Sequence, residues 1–141
     1  MGRCSESLFS LIRILGSLSG VGGITVLTYH SVDGSGSKLS VAPAVFERQM
    51  RYLKENRFQV LPLSRVSTIL KVRVPFPRNS VAITFDDGYQ NSYGQAFPVL
   101  QACGFPATVF LATHFCGRSN EWLQPGISIP SLPMLSWEEV G

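Results

Sequence analysis

Two adjacent carboxylates, Asp86 and Asp87, followed by Gly88, are the residues of this chain best suited to chemistry, because they end an apolar run from Ser80 to Phe85. Such a run reads as a strand packed on both faces, and a glycine just after it lets the backbone turn sharply. The two acids then lie beyond the strand's carboxyl end, where ligands and catalytic groups collect in open α/β sheets and barrels. The same residues also suit an ordinary turn in which one carboxylate caps the next helix. Charge economy weighs against that: the chain has three aspartates, Asp33, Asp86 and Asp87, and two of them are neighbours. Adjacent carboxylates repel unless a cation or a shared proton relieves them, and a divalent metal is the natural relief.

The elements that must position these acids alternate along the chain. Ile24 to Tyr29 reads as a first strand, and Asp33-Gly-Ser-Gly-Ser37 as a flexible loop at its carboxyl end. Phe46, Met50 and Leu53 then share one helical face within 46–55, with Glu47 and Arg51 as an i,i+4 pair, and Phe58 to Leu61 returns as a strand. Ser64 is placed to cap a short helix through Leu70. After the acid-bearing strand, Tyr93 to Cys103 makes a helix in which Pro98 lies near the first turns or kinks it and which Gly104 terminates, and Ala107 to Leu111 is the next buried strand. Residues 115–133 form a long loop in which Trp122 suits an anchor in the core better than a sugar-stacking platform. Ser136 and Glu139 have capping-box spacing and announce a further helix. Strands separated by helices predict an α/β fold with a parallel sheet. His30 ends the first strand on the side of Asp86, so His30 and Tyr89 join the acid pair as candidate site-lining residues.

Three blocks, in order, resemble the polysaccharide deacetylase family, carbohydrate esterase family four, with its nodulation-type chitooligosaccharide deacetylase domain. They are Thr25-Val-Leu-Thr-Tyr-His-Ser-Val32, Ala82-Ile-Thr-Phe-Asp-Asp-Gly-Tyr89, and Ala96-Phe-Pro-Val-Leu100 leading into Gly104-Phe-Pro-Ala-Thr-Val-Phe-Leu111. The resemblance covers residues 24–141 and implies the amino-terminal half of a distorted (β/α) barrel. It implies metal-dependent hydrolysis of N-acetyl groups on an amino-sugar polysaccharide, cleaving a carbon–nitrogen bond that is not a peptide bond. Carried over, Asp86 is the general base and Asp87 a ligand of a divalent ion, zinc in the complete enzyme. The family's paired metal-binding histidines have no counterpart here, since the chain's two histidines, His30 and His114, stand far apart.

Length fits this reading. At 141 residues and 45% hydrophobic content the chain can form one core, whereas a full α/β barrel needs roughly 200 residues or more. The expectation is a domain cut short within its last helix, inactive by itself, with an open sheet edge through which copies self-associate. The net charge of +3 comes from scattered basic residues, and on the first long helix Glu47 and Glu55 share the surface with the arginines, which favours a solvated helix face and no nucleic-acid partner. Three cysteines without a Cys-x-x-Cys suggest neither disulfides nor a zinc knuckle.

Residues 1–23 read as an amphipathic helix with a Gly/Ser linker. Leu8, Leu11, Ile12, Leu15 and Leu18 keep helical spacing, Arg13 interrupts the run, and no small-x-small site follows. That argues for peripheral membrane contact through 8–18 or packing on the domain, not for a cleaved signal peptide or a span, and leaves a cytoplasmic or cell-envelope location open. Two other classes stay in view. One is a non-catalytic half-domain that binds a partner or membrane; the other is a receiver-like phosphoryl-transfer domain, which needs a third strand-end aspartate, and no aspartate follows Asp87.

Overall fold

The computed structural model describes residues 23–122 and 129–141. The expected amino-terminal helix at 8–18 lies outside them. Among the described residues no helix is long and apolar enough to cross a membrane.

The sheet is built on β5 (Ser80–Phe85), all six of whose residues are buried, as a strand covered on both faces must be. β1 (Thr25–Tyr29) runs parallel to it along its whole length, from Thr25 opposite Val81 to Tyr29 opposite Phe85. The other edge of β5 is shared. β4 (Gln59–Val60) pairs with Ser80 and Val81 at its start, and β6 (Thr108–Val109) pairs with Thr84 and Phe85 at its end. Every pairing is parallel, so all strands in the sheet end on the side of Asp86 and Asp87. A second small pairing joins β2 (Ser31–Val32) to β3 (Ser40–Val41) just beyond β1.

α1 (Pro43–Glu55) begins three residues before the predicted helix because Pro43, whose missing N–H costs nothing in a first turn, starts it. It buries Phe46, Met50 and Leu53 and carries the Arg51–Glu47 ion pair at 2.5 Å on its exposed face. α2 (Leu63–Val72) corrects one expectation: its cap position is Pro62, no side chain caps it, and Ser64 lies inside the helix, where its carbonyl accepts from the Thr68 hydroxyl at 3.0 Å. The predicted helix at 93–103 is two pieces, a π-helical turn (Ser92–Ala96) running into α3 (Phe97–Cys103). Pro98 has no N–H to continue an α-ladder, so the wider turn precedes it and α3 begins at its own first positions. Gly104 ends α3 at φ +73°, as the sequence predicts.

The core packs α1 and α3 against β5, with Val32, Phe46, Met50, Leu53, Ile83 and Leu100 among its members. At its upper end Tyr29, Phe46 and Phe85 form an aromatic trio with ring centroids 5.1–5.9 Å apart. Burial pushes the Tyr29 phenol up, and its hydroxyl donates to Gln49 Oε1 of α1 at 2.8 Å, which ties the end of β1 to the helix.

The far side is different. A cleft of about 670 Å³ lies beside β6 and α3, lined by Phe85, Tyr93, Phe97, Phe105, Val109 and Val140. Tyr93 and Phe97 stack at 5.8 Å on its rim and are about half exposed. The two strand-end aspartates do not line it, so this cleft is uncovered core, separate from the acid pair.

Candidate active site

Asp86 follows β5 directly. Its backbone N–H donates to the carbonyl of Tyr29 at 2.8 Å, the last bond of the β1–β5 ladder. The register ends with Tyr29 opposite Phe85, so His30 and Asp86 are the next residues on the two strands as they leave the sheet. Both residues are half-buried, within reach of solvent.

Asp87 then takes a left-handed conformation at φ +70° and Gly88 follows at φ +82°. Left-handed backbone costs a non-glycine residue of order 1 kcal/mol, and Asp tolerates it better than most. The surroundings hold the turn in place. Ala112 N donates to Asp87 O at 2.9 Å, and Leu135 N donates to Gly88 O at 2.8 Å. A Cβ at Gly88 would stand 2.6 Å from Leu111 Cδ2, so the glycine serves both its backbone angle and the close pass of the Leu111 side chain in the segment after β6.

Tyr89 is fully buried beneath this turn. Burial pushes its phenol up; Asn120 lies close enough to pull the other way, and the charge of Asp87 adds to the rise. The hydroxyl makes no hydrogen bond among the described residues, and the Asn120 amide donates to Pro130 O at 3.0 Å and accepts from Leu132 N at 2.8 Å. Tyr89 supports the acid pair from below. It pairs across to Met134 and packs against Trp122, which also meets Phe115 at 4.7 Å, so Trp122 anchors its loop as the sequence predicts.

The loop after β1 corrects a second expectation. Asp33 is a knot of hydrogen bonds where the sequence predicts a flexible loop. Its carboxylate accepts from Ser35 N at 2.7 Å, Ser40 Oγ at 2.9 Å and the Ser31 hydroxyl. Burial works to raise the Asp33 carboxyl, but those bonds from Ser31, Ser35 and Ser40 outweigh it and hold it down at about 2. Asn91, which sequence reasoning passed over, reaches into the knot from the other loop: its amide nitrogen donates to Ser31 Oγ at 2.7 Å and Asp33 Oδ2 at 3.2 Å, and its oxygen accepts from Val32 N at 3.0 Å.

Among the described residues no three His, Cys, Asp or Glu side chains converge to hold a metal. His114 sits exposed in the 3₁₀ turn Thr113–Phe115, stacked edge-on against Phe115. Asp87 is therefore not part of such a group among the described residues.

The parallel sheet, the acid pair at the end of β5 and the glycine-dependent turn are the features to set beside known proteins. The family profile of polysaccharide deacetylases matches residues 73–132. The chain is 36% identical over 116 residues to YxkH of Bacillus subtilis strain 168, a candidate polysaccharide deacetylase, covering 77% of this chain and 41% of that protein. It is 40% identical over 90 residues to the poly-beta-1,6-N-acetyl-D-glucosamine N-deacetylase of Staphylococcus epidermidis, covering 61% of this chain and 31% of that one. In three dimensions it matches the structure of IcaB from Ammonifex degensii with a TM-score of 0.71 at 30% identity, over 86% of this chain and 48% of the other. The chain carries part of a polysaccharide deacetylase domain, and it spans less than half the length of each of these relatives.

Proposed function

We propose that this chain supplies the acid side of an N-deacetylase site acting on an amino-sugar polysaccharide. Asp86 carries the reading: a half-buried carboxylate at the carboxyl end of β5, with its backbone locked to Tyr29 and His30 the next residue along that neighbouring strand. The relatives named for poly-β-1,6-N-acetylglucosamine support the substrate class.

Asp86 removes a proton from water as the oxygen attacks the acetyl carbonyl. The carbon–nitrogen bond then breaks, acetate leaves, and the sugar amine takes up the proton. Asp87 is the residue assigned to a divalent ion, zinc by family resemblance, which when bound polarises the carbonyl. Among the described residues no second and third donor stand beside Asp87. Residues 1–141 alone are accordingly expected to bind zinc weakly and release no acetate.

The test is acetate release from N-acetylglucosamine oligomers by the full-length gene product, with and without Asp86→Asn. Turnover that survives the substitution would rule out the role given to Asp86.

A second reading is favoured by one observation. Tyr93 and Phe97 are 49% and 48% exposed and line the uncovered cleft, which suits a half-domain that binds a partner or another copy through that face. A receiver-like phosphoryl-transfer role is not favoured, since the third aspartate, Asp33, has its carboxylate committed to Ser31, Ser35, Ser40 and Asn91.

A further inference from the structure

His30 is bracketed. On one side of it, Tyr29 O accepts from the backbone N–H of Asp86 at 2.8 Å. On the other, Val32 N–H, fully buried, donates to Asn91 Oδ1 at 3.0 Å. Both partners belong to the segment that leaves β5, one at its start and one five residues later. The stretch between them, 30–31, is thereby tied at both ends to the loop that carries the acid pair.

The second tie is a built one. Asn91 uses both ends of its amide: the oxygen takes Val32, and the nitrogen serves Ser31 Oγ at 2.7 Å and Asp33 Oδ2 at 3.2 Å. The Ser31 hydroxyl donates to Asp33, which leaves its lone pairs for Asn91, so every donor in the group has an acceptor and the amide has one consistent orientation. Asp33 is held in turn by Ser35 N and Ser40 Oγ, and Ser40 opens β3 beside Ser31. A carboxyl held at about 2 stays ionised through any working pH, so the acceptor at the centre of the group is permanent. Asparagine is needed for this. An aspartate would supply the acceptor but set a second negative charge against Asp33, and an alanine would leave the buried Val32 N–H without a partner.

We propose that Asn91 is a positioning residue of the site, which holds His30 at a set distance from Asp86 by clamping the loop after β1 to the loop after β5. This rests on the deacetylase reading for its catalytic consequence but not for its geometry. A displacement of about 1 Å in such a site costs about 100-fold in rate, so loosening the clamp is expected to lower kcat about 10- to 100-fold with KM little changed.

The experiment has two arms on the full-length gene product. Hydrogen exchange at the amides of 30–32 and 86–87 reads the clamp with no substrate present. Asn91→Ala and Asn91→Asp are each expected to accelerate it about tenfold or more while the α1 amides stay as in the parent, as the loss of a buried hydrogen bond requires. Combining Asn91→Asp with Asp33→Asn restores one carboxylate facing one amide and is expected to recover part of the protection. Unchanged exchange in both single variants overturns the proposal. Acetate release is the second arm. A kcat that stays at the parent value while exchange accelerates also overturns it, and kcat recovery in the double variant supports it over a loss of folding. A parent protein that releases no acetate defeats the deacetylase reading instead, and the exchange arm then decides the placement of His30 by itself.

Discussion

The amide nitrogen of Asp86 and the carbonyl oxygen of Tyr29, 2.8 Å apart, form the last rung of the β1–β5 ladder. One residue beyond that rung the ladder stops, and the first two residues free of it are His30 and the Asp86 side chain. The candidate acid thus stands where two paired strands release their chains, so the sheet's rigidity passes directly to it.

The two aspartates are expected to separate by role. In the full-length gene product Asp86→Asn should lower kcat for acetate release by about 10²- to 10⁴-fold, as loss of a general base does, and leave bound metal in place. Asp87→Asn should lose metal as well as activity, and Asn tolerates the left-handed backbone at φ +70°, so the change tests the charge and not the fold. Metal content measured alongside acetate release decides this, and equal metal loss in both variants would contradict the division.

Gly88 and Gly104 make an internal control for the turn. Both are left-handed, at φ +82° and +73°, but a Cβ meets Leu111 Cδ2 at 2.6 Å only at Gly88, with nothing within 4 Å at Gly104. Gly104→Ala should cost about 1–2 kcal/mol, the price of the backbone angle. Gly88→Ala should cost more, since Leu111 must also move. Urea unfolding midpoints rank the two, and equal losses would mean that the contact with Leu111 is soft.

Asp33 makes stability depend on acid. Its folded carboxyl lies at about 2, below the ordinary 3.8, so its contribution is fully present above about 3.8 and is lost as pH falls through about 2. The gap in urea midpoint between the parent protein and Asp33→Asn should therefore be wide at about pH 6 and narrow at about pH 2.5. A gap that is constant with pH would show that the charge on Asp33 does not stabilise the loop.

The uncovered face predicts self-association of the 141-residue chain. β6 pairs with β5 through two residues only, and Tyr93, Phe97 and Phe110 are exposed near it. Phe97→Lys and Phe110→Lys together should lower the mass seen by light scattering by setting charges on the apolar rim. Scattering that does not respond would place the contact elsewhere.

Much of this was legible in the sequence because it is local. An apolar six-residue run marks β5, Asp-Asp-Gly marks its exit, Gly104 marks the end of α3, and the Ser136–Glu139 spacing forms the capping box with both reciprocal bonds. Each is a pattern contained in a few neighbouring residues, where backbone preference and periodicity act. The position of Ser64 and the split at Pro98 were less legible, since an alternative start and a wider turn satisfy the same short-range rules.

The site itself was decided only by tertiary structure. Asn91 and Val32 are bonded across 59 positions, and Thr84 and Thr28 across 56, with nothing in either local stretch to name the other. Asp33 reads as part of a loose Gly/Ser loop until Asn91 and Ser40 arrive to satisfy its oxygens. Tyr89 reads as a residue at the rim until the 133–135 segment covers it through Met134 and Leu135. Short-range sequence determines which residues can carry charge at a strand end. Which of them face one another, and which are buried under the turn, depends on packing between segments far apart in the chain, and that information is distributed over the whole core rather than written at the site.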